Sequence, residues 1–132
     1  MQLEFQVDNQ KLIRKDTTEI VNQTVKDLCC EINFKSGTGW DSIDKYVIFK
    51  SETGKNYCVP LGNADEDIYI HVPGKVLEGD FFRMTIFGID EDRRITTTES
   101  TILLIRSGFT TDLQPYDSNE SGDIFSSNGG NQ

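Results

Sequence analysis

Apolar and polar residues alternate every second position through most of this chain. Leu3, Phe5 and Val7 alternate with Glu4 and Gln6. Leu28, Cys30, Ile32 and Phe34 alternate around Glu31 and Asn33. Ile68, Ile70 and Val72 repeat the pattern, as do Phe82, Met84 and Ile86 around Arg83 and Thr85, and Ile102 and Leu104 around Leu103 and Ile105. A period of two marks a pleated strand with one buried face. Tyr46-Val47-Ile48-Phe49 differs, being apolar on both faces; such a strand belongs in the middle of a sheet or beneath a partner. Asp8-Asn9, Ser36-Gly37-Thr38-Gly39, Glu52-Thr53-Gly54-Lys55 and Gly62-Asn63-Ala64-Asp65 are turn signals between the runs. Pro73 opens a single helical turn through Val76 and Leu77. A long last strand runs from Ile95 to Ile105. About eight short strands at this spacing predict an all-β fold, an antiparallel β-sandwich of immunoglobulin-like or jelly-roll-like type with one short helical turn.

The pattern stops after Gly108. Residues 1–112 read as the sandwich and residues 113–132 as a polar C-terminal tail or linker. The tail is rich in Ser, Asn and Gly and too poor in apolar groups to form a core alone. Ile124-Phe125 interrupts it and reads either as a chance pair or as a small docking motif. Within the first part, Asp16 to Gln23 is polar and is placed as a crossing between sheets.

The 132 residues suffice for one domain that needs no disulfide or metal to fold. A net charge of −9 argues against nucleic acid and against an anionic membrane surface as partners. The start, Met1-Gln2-Leu3-Glu4-Phe5, has neither the basic residues nor the apolar segment of a signal peptide. The chain is therefore expected to be made in a cytoplasm and to leave only within a larger particle. Three cysteines without an export signal fit reduced thiols. Adjacent Cys29 and Cys30 on a strand point to opposite faces.

Little in the sequence suggests catalysis or a cofactor. His71 is the one histidine, and no nucleophile motif accompanies it. Gly37-Thr38-Gly39 has no helix after it to cradle a phosphate. Asp90-Glu91-Asp92 is followed at once by Arg93 and Arg94, and Asp65-Glu66-Asp67 reads as a solvated hairpin tip, so no metal site is expected. Asn22-Gln23-Thr24 and Asn119-Glu120-Ser121 match the glycan acceptor pattern by chance. Trp40, just after a glycine loop, reads as an anchor over one end of the sandwich or as a contact platform.

Three pieces carry a family resemblance. The first is Trp40-Asp41-Ser42-Ile43 followed by Val47-Ile48-Phe49-Lys50. The second is Val72-Pro73-Gly74-Lys75-Val76-Leu77 with Gly79-Asp80-Phe81-Phe82. The third is Phe87-Gly88, Arg94-Ile95-Thr96-Thr97-Thr98 and Arg106-Ser107-Gly108-Phe109. In this order the chain resembles the N-terminal β-sandwich domain of minor structural proteins of tailed phages of Gram-positive bacteria, including baseplate, tail-fibre and receptor-binding components. The likeness covers about residues 1–112. It implies a non-enzymatic virion protein that docks on the tail, baseplate or capsid and anchors or connects a fibre. Its partners would be other virion proteins and copies of itself, commonly as a trimer. The chain departs from that family where it reaches Gln132 with no head domain, which is expected either of a fragment of a longer fibre protein or of a capsid decoration or head-fibre protein standing alone.

The expected partner contacts are Trp40, Tyr116, Ile124 and Phe125. A rival reading is a carbohydrate-binding module with Trp40, Tyr46 and Tyr57 as its platform, although Tyr46 lies in a run that reads as core.

Overall fold

A computed structural model describes residues 1–24 and 28–116. Among them are nine strands and one 3₁₀ turn: β1 (Gln2–Asp8), β2 (Lys11–Arg14), β3 (Cys29–Phe34), β4 (Asp44–Ser51), β5 (Asn56–Gly62), β6 (Ile68–His71), the turn (Gly74–Leu77), β7 (Phe81–Asp90), β8 (Arg93–Thr96) and β9 (Ser100–Leu103). They form two sheets. One has the order β2-β1-β3-β6; the other has β5-β4-β7-β8, with β9 also paired to β7. The inner faces meet in one core. Leu3, Phe5, Val7, Cys30 and Ile32 come from the first sheet and Val47, Phe49, Phe82, Met84, Ile86 and Ile102 from the second. Each set repeats every second residue, so the buried face follows from the alternation in the sequence. The all-β sandwich holds.

Two expectations about the strands are corrected. The sandwich is not wholly antiparallel, because β1 and β3 run parallel, from Gln2 opposite Cys29 to Val7 opposite Phe34. A tight hairpin would return the chain antiparallel, whereas a parallel neighbour needs a crossover. Lys15–Asn22 begins that crossover. Lys15 N–H donates to Glu4 O at 2.7 Å and Thr18 Oγ1 to Gln2 O at 3.0 Å, continuing the first sheet's edge. Then Ile105 N–H donates to Ile20 O and Asn22 N–H to Ile105 O, both at 2.8 Å, on the second sheet's edge. The polar segment thus crosses between sheets as its composition suggested.

Asp16 makes the bend. Its carboxylate accepts the backbone N–H groups of Glu4 (2.7 Å) and Thr18 (2.9 Å) and the Arg14 guanidinium (2.9 Å). Burial alone would raise its pKa. The Arg14 hydrogen bond, the two backbone donors and the Arg14 charge together outweigh burial, and the pKa is lowered.

The second correction concerns the last strand, which is broken rather than continuous from Ile95 to Ile105. Phe87 faces Thr96 and Met84 faces Ser100, so two residues on β7 oppose three between β8 and β9. The extra residue is a β-bulge. Thr98 has turned toward the other sheet, where its N–H donates to Gln10 O (2.7 Å) and its Oγ1 accepts Leu12 N–H (3.2 Å). The bulge therefore ties the β1–β2 hairpin to the opposite sheet.

One end is closed by Trp40, 1% exposed, whose Nε1 donates to Asn9 O at 2.6 Å. It fits because Gly88, on the inner face of β7, has no side chain; a Cβ there would lie 3.2 Å from the Trp40 ring and 3.1 Å from Ile43. Nearby, Lys45 is fully buried and its Nζ donates to Ile43 O (3.0 Å) and Ala64 O (3.3 Å), with Asp65 at 3.6 Å. The Asp65-Glu66-Asp67 tip is thus partly structural, since Asp65 also accepts Ser42 N–H at 2.8 Å. At the other end Pro73 precedes the 3₁₀ turn, which buries Val76 and Leu77.

Candidate functional site: the outer face of the five-stranded sheet

In a sandwich whose outer faces meet water, the outward residues are normally polar. The first sheet obeys this. Its outward rows include Glu4, Glu31 and Tyr69, and Gln6 with Asn33. They are hydrogen-bonded among themselves: Gln2 to Glu31 (3.2 Å), Tyr69 to Glu31 (3.1 Å), and Asn33 to Asp67 (2.7 Å). The hydrogen bond to Glu31 and its charge, then burial and the charges of Asp67 and Glu4, raise the Tyr69 pKa. This face is polar, its carboxylates Glu4, Glu31 and Asp67 facing Lys11 and Lys15 at the β2 edge.

The second sheet does not obey it. Lys45, Val47, Phe49 and Ser51 of β4 and Phe82, Met84 and Ile86 of β7 point inward and are buried. Their alternates therefore point outward. One row across this face reads Pro60, Tyr46, Phe87, Thr96, and the next Cys58, Ile48, Thr85. A third reads Asn56, Lys50, Arg83, Thr101, and Phe81 lies beside Leu103 at the end. Tyr46 and Phe87 stack with centroids 5.0 Å apart and 17° between planes. Leu103 is 73% exposed and Ile89, at the far end of β7, is also exposed. The result is an apolar patch on the two central strands, half-buried at Tyr46, Ile48, Phe81 and Phe87 and flanked by exposed Leu103 and Ile89, set among threonines and charged groups.

Charges on this face are few and coupled. Glu99 receives Lys50 at 2.8 Å and Arg83 at 3.5 Å, so two cations share one carboxylate. The Arg83 guanidinium also lies over the Phe81 ring, 4.5 Å from its centroid. A planar cation held on an aromatic beside apolar surface is a frequent anchor in protein interfaces.

The residues expected to make contacts are scattered. Trp40 is the end anchor and its ring is in the core, so the indole offers no platform to a partner or a sugar. Tyr116 is 64% exposed, beyond the last strand. Ile124 and Phe125 lie outside the described residues. The three aromatics of the sugar-binding reading do not share a surface: Trp40 is buried, Tyr57 packs against the core, and Tyr46 is on the outer face rather than in the core. Tyr46, Ile48, Phe81, Phe87 and Leu103 were missed as a group. Their signal was present in the two-sided apolar pattern of β4.

The residues that suggested chemistry have ordinary roles here. His71 Nδ1 is 3.9 Å from Cys29 Sγ at the surface. Arg93 pairs with Asp90 at 3.5 Å. Asn22 is buried, donating to Gly79 O (2.9 Å) and accepting Ser107 N–H (2.7 Å), which removes it as a glycan acceptor in the folded chain. Among the described residues no three His, Cys, Asp or Glu side chains converge as metal ligands would.

No family model matches the chain, and no curated relative matches it significantly. Among solved structures it is similar to the N-terminal domain of phage TP901-1 ORF48. That similarity has 6% sequence identity and a TM-score of 0.47, and covers 80% of this chain and 97% of the other.

Proposed function

We propose that the chain is a non-enzymatic structural protein of a tailed-phage virion, and that it docks through the outer face of the five-stranded sheet. The carrying observation is the contrast between the two outer faces. One is polar and satisfies its own hydrogen bonds, while the other sets half-buried Tyr46, Ile48, Phe81 and Phe87 and exposed Leu103 around the Arg83–Lys50–Glu99 cluster. The phage assignment is supported by the three sequence pieces and their order. The docking target is a tail, baseplate or capsid protein, and the chain anchors or connects a fibre there. Repetition around a particle axis makes it a homo-oligomer, with attachment strengthened by avidity.

The piece Val47–Lys50 runs through the face, and Phe81-Phe82 and Phe87-Gly88 supply one outward and one inward residue each. The resemblance and the apolar patch thus fall on the same strands. Incorporation into phage particles tests the reading. A chain with charges placed at Tyr46 and Phe87 should fold and be left out of the particle; its incorporation at the normal level would refute the proposal.

A further inference from the structure

We propose that two copies of the chain pair through β6, antiparallel about a two-fold axis at Ile70, so that their four-stranded sheets join into one continuous sheet. The face assigned to docking lies on the other sheet, so this contact goes beyond the proposed function and stands or falls without it.

A sheet edge carries a row of main-chain donors and acceptors and is a template for another strand. The other edges are closed. At β2, Thr98 takes both Gln10 O and Leu12 N–H. Gln10 Nε2 donates to Thr96 O of β8 at 3.1 Å, and Ile20 and Asn22 bond Ile105 just past β9. At β5, Ser51 N–H donates to Lys55 O at 2.8 Å, and bonds in an antiparallel ladder fall on alternate pairs. Tyr57 and Val59 therefore face β4, and Pro60 turns outward a nitrogen that has no hydrogen.

β6 is open. Val72 N–H donates to Leu28 O at 2.8 Å, so the same alternation turns the main-chain groups of Ile68 and Ile70 toward β3 and those of Tyr69 and His71 outward. Among the described residues no hydrogen bond reaches the N–H or C=O of Tyr69 or His71. The seam beneath this edge is unsealed as well. On the opposite side of the sandwich the crossover buries Ile20. On the side of β5 and β6, Tyr57, Val59, Ile68 and Ile70 face the core and are only half-buried.

The edge is complementary to itself, which selects a second copy as its occupant. With Ile70 on the axis, Tyr69 faces the partner's His71, and His71 faces the partner's Tyr69. Each of these pairs exchanges both of its main-chain bonds, and the two Ile70 side chains meet over the seam. The flanks of the strand carry opposite charge. Asp65, Glu66 and Asp67 precede it and Lys75 follows it. Antiparallel pairing sets each acidic tip beside the partner's Lys75, whereas parallel pairing sets like charges together. The remaining charges on this side leave that match in place. Asp65 pairs with buried Lys45, Lys35 with Asp8, and Glu31 accepts from Tyr69 and Gln2. Glu78 lies 3.8 Å from Lys75 on the exposed surface, and Glu52 is bonded to Asp80 N–H. Lys55, beside Glu52, adds a cation at the Lys75 end.

Sedimentation velocity of the full chain from about 1 μM to about 1 mM, with amide exchange followed by NMR at both limits, tests this. The chain should form dimers. The Tyr69 and His71 amides should become protected as concentration rises, while the Ile70 amide, bonded to β3, is protected throughout. Lys75→Glu and Glu66→Lys should each weaken association roughly tenfold, because the axis applies each change twice. The double variant should restore it. Both residues are exposed, so the fold survives the changes. A monomer at every concentration would overturn the proposal. So would a dimer whose Tyr69 and His71 amides stay unprotected, or one in which the double variant associates no better than the single ones.

Discussion

Tyr46 and Phe87 stack on the outside of the sandwich, 5.0 Å between ring centroids, while their strand neighbours Val47 and Ile86 are fully buried. Packing inside and stacking outside thus occur on the same two strands. A cross-strand aromatic pair contributes about 0.5–1.5 kcal/mol beyond area burial, far less than a core residue. Tyr46→Ser with Phe87→Ser should therefore cost about 1–2 kcal/mol in urea denaturation and leave the circular-dichroism spectrum unchanged. A loss as large as that of a core deletion would mean that the pair serves stability rather than contact.

Trp40 makes the opposite case. Its ring is enclosed and its indole N–H is satisfied by Asn9 O. Trp40→Ala should cost about 3–5 kcal/mol, measured by the same denaturation. Gly88→Ala, which pushes a methyl against Trp40 and Ile43, should cost about 1–3 kcal/mol through overpacking. Native fluorescence should show a water-shielded indole whose emission moves to the red on unfolding. A red-shifted native spectrum would contradict the burial.

Asp16 sets an acid limit on the fold. Its folded-state pKa lies below the ordinary 3.8, so its contribution is complete above pH 3.8 and is lost as pH falls through the lower folded value. Asp16→Asn should be less stable at neutral pH by about 1–3 kcal/mol, the cost of weakening charge-assisted hydrogen bonds. The gap between the two proteins should narrow as acid protonates the native carboxylate. A gap constant down to strongly acidic pH would show that the charge at the bend is unimportant.

The thiols should separate by position. Cys30 is buried, and burial first, with the Asp16 charge adding, pushes its pKa up to about 12. It should resist alkylation in the native protein and react only on unfolding. Cys58 is exposed and Cys29 half-buried, so both should react in the folded chain. Rapid native modification of Cys30 would place β3 differently from the arrangement described.

Much of this architecture was legible because strand periodicity is local. The alternations around Phe5, Ile32 and Met84 mark inward faces that are indeed buried, and the two-sided run of β4 sits between two neighbours. The parallel pairing of β1 with β3 was not legible, because it depends on a crossover begun by Asp16, which bonds a backbone group twelve residues away. Nor was the bulge, since Thr98 leaves its ladder for Gln10 across the sandwich. For the site, position in a loop misled: Trp40 follows a glycine loop but folds back into the space over Gly88. Conversely, Tyr46 lies in an apolar run and is outside the core. Apolar residues on both sides of a strand reveal that both faces matter, and only the second sheet shows which one is covered.

The most direct measurement is incorporation of the full chain carrying Tyr46→Asp and Phe87→Asp into phage particles, quantified beside the unchanged chain after the variant's native spectrum is verified. The expected result is a folded protein absent from purified particles. Incorporation at the unchanged level would contradict the assignment of this sheet face as the assembly surface.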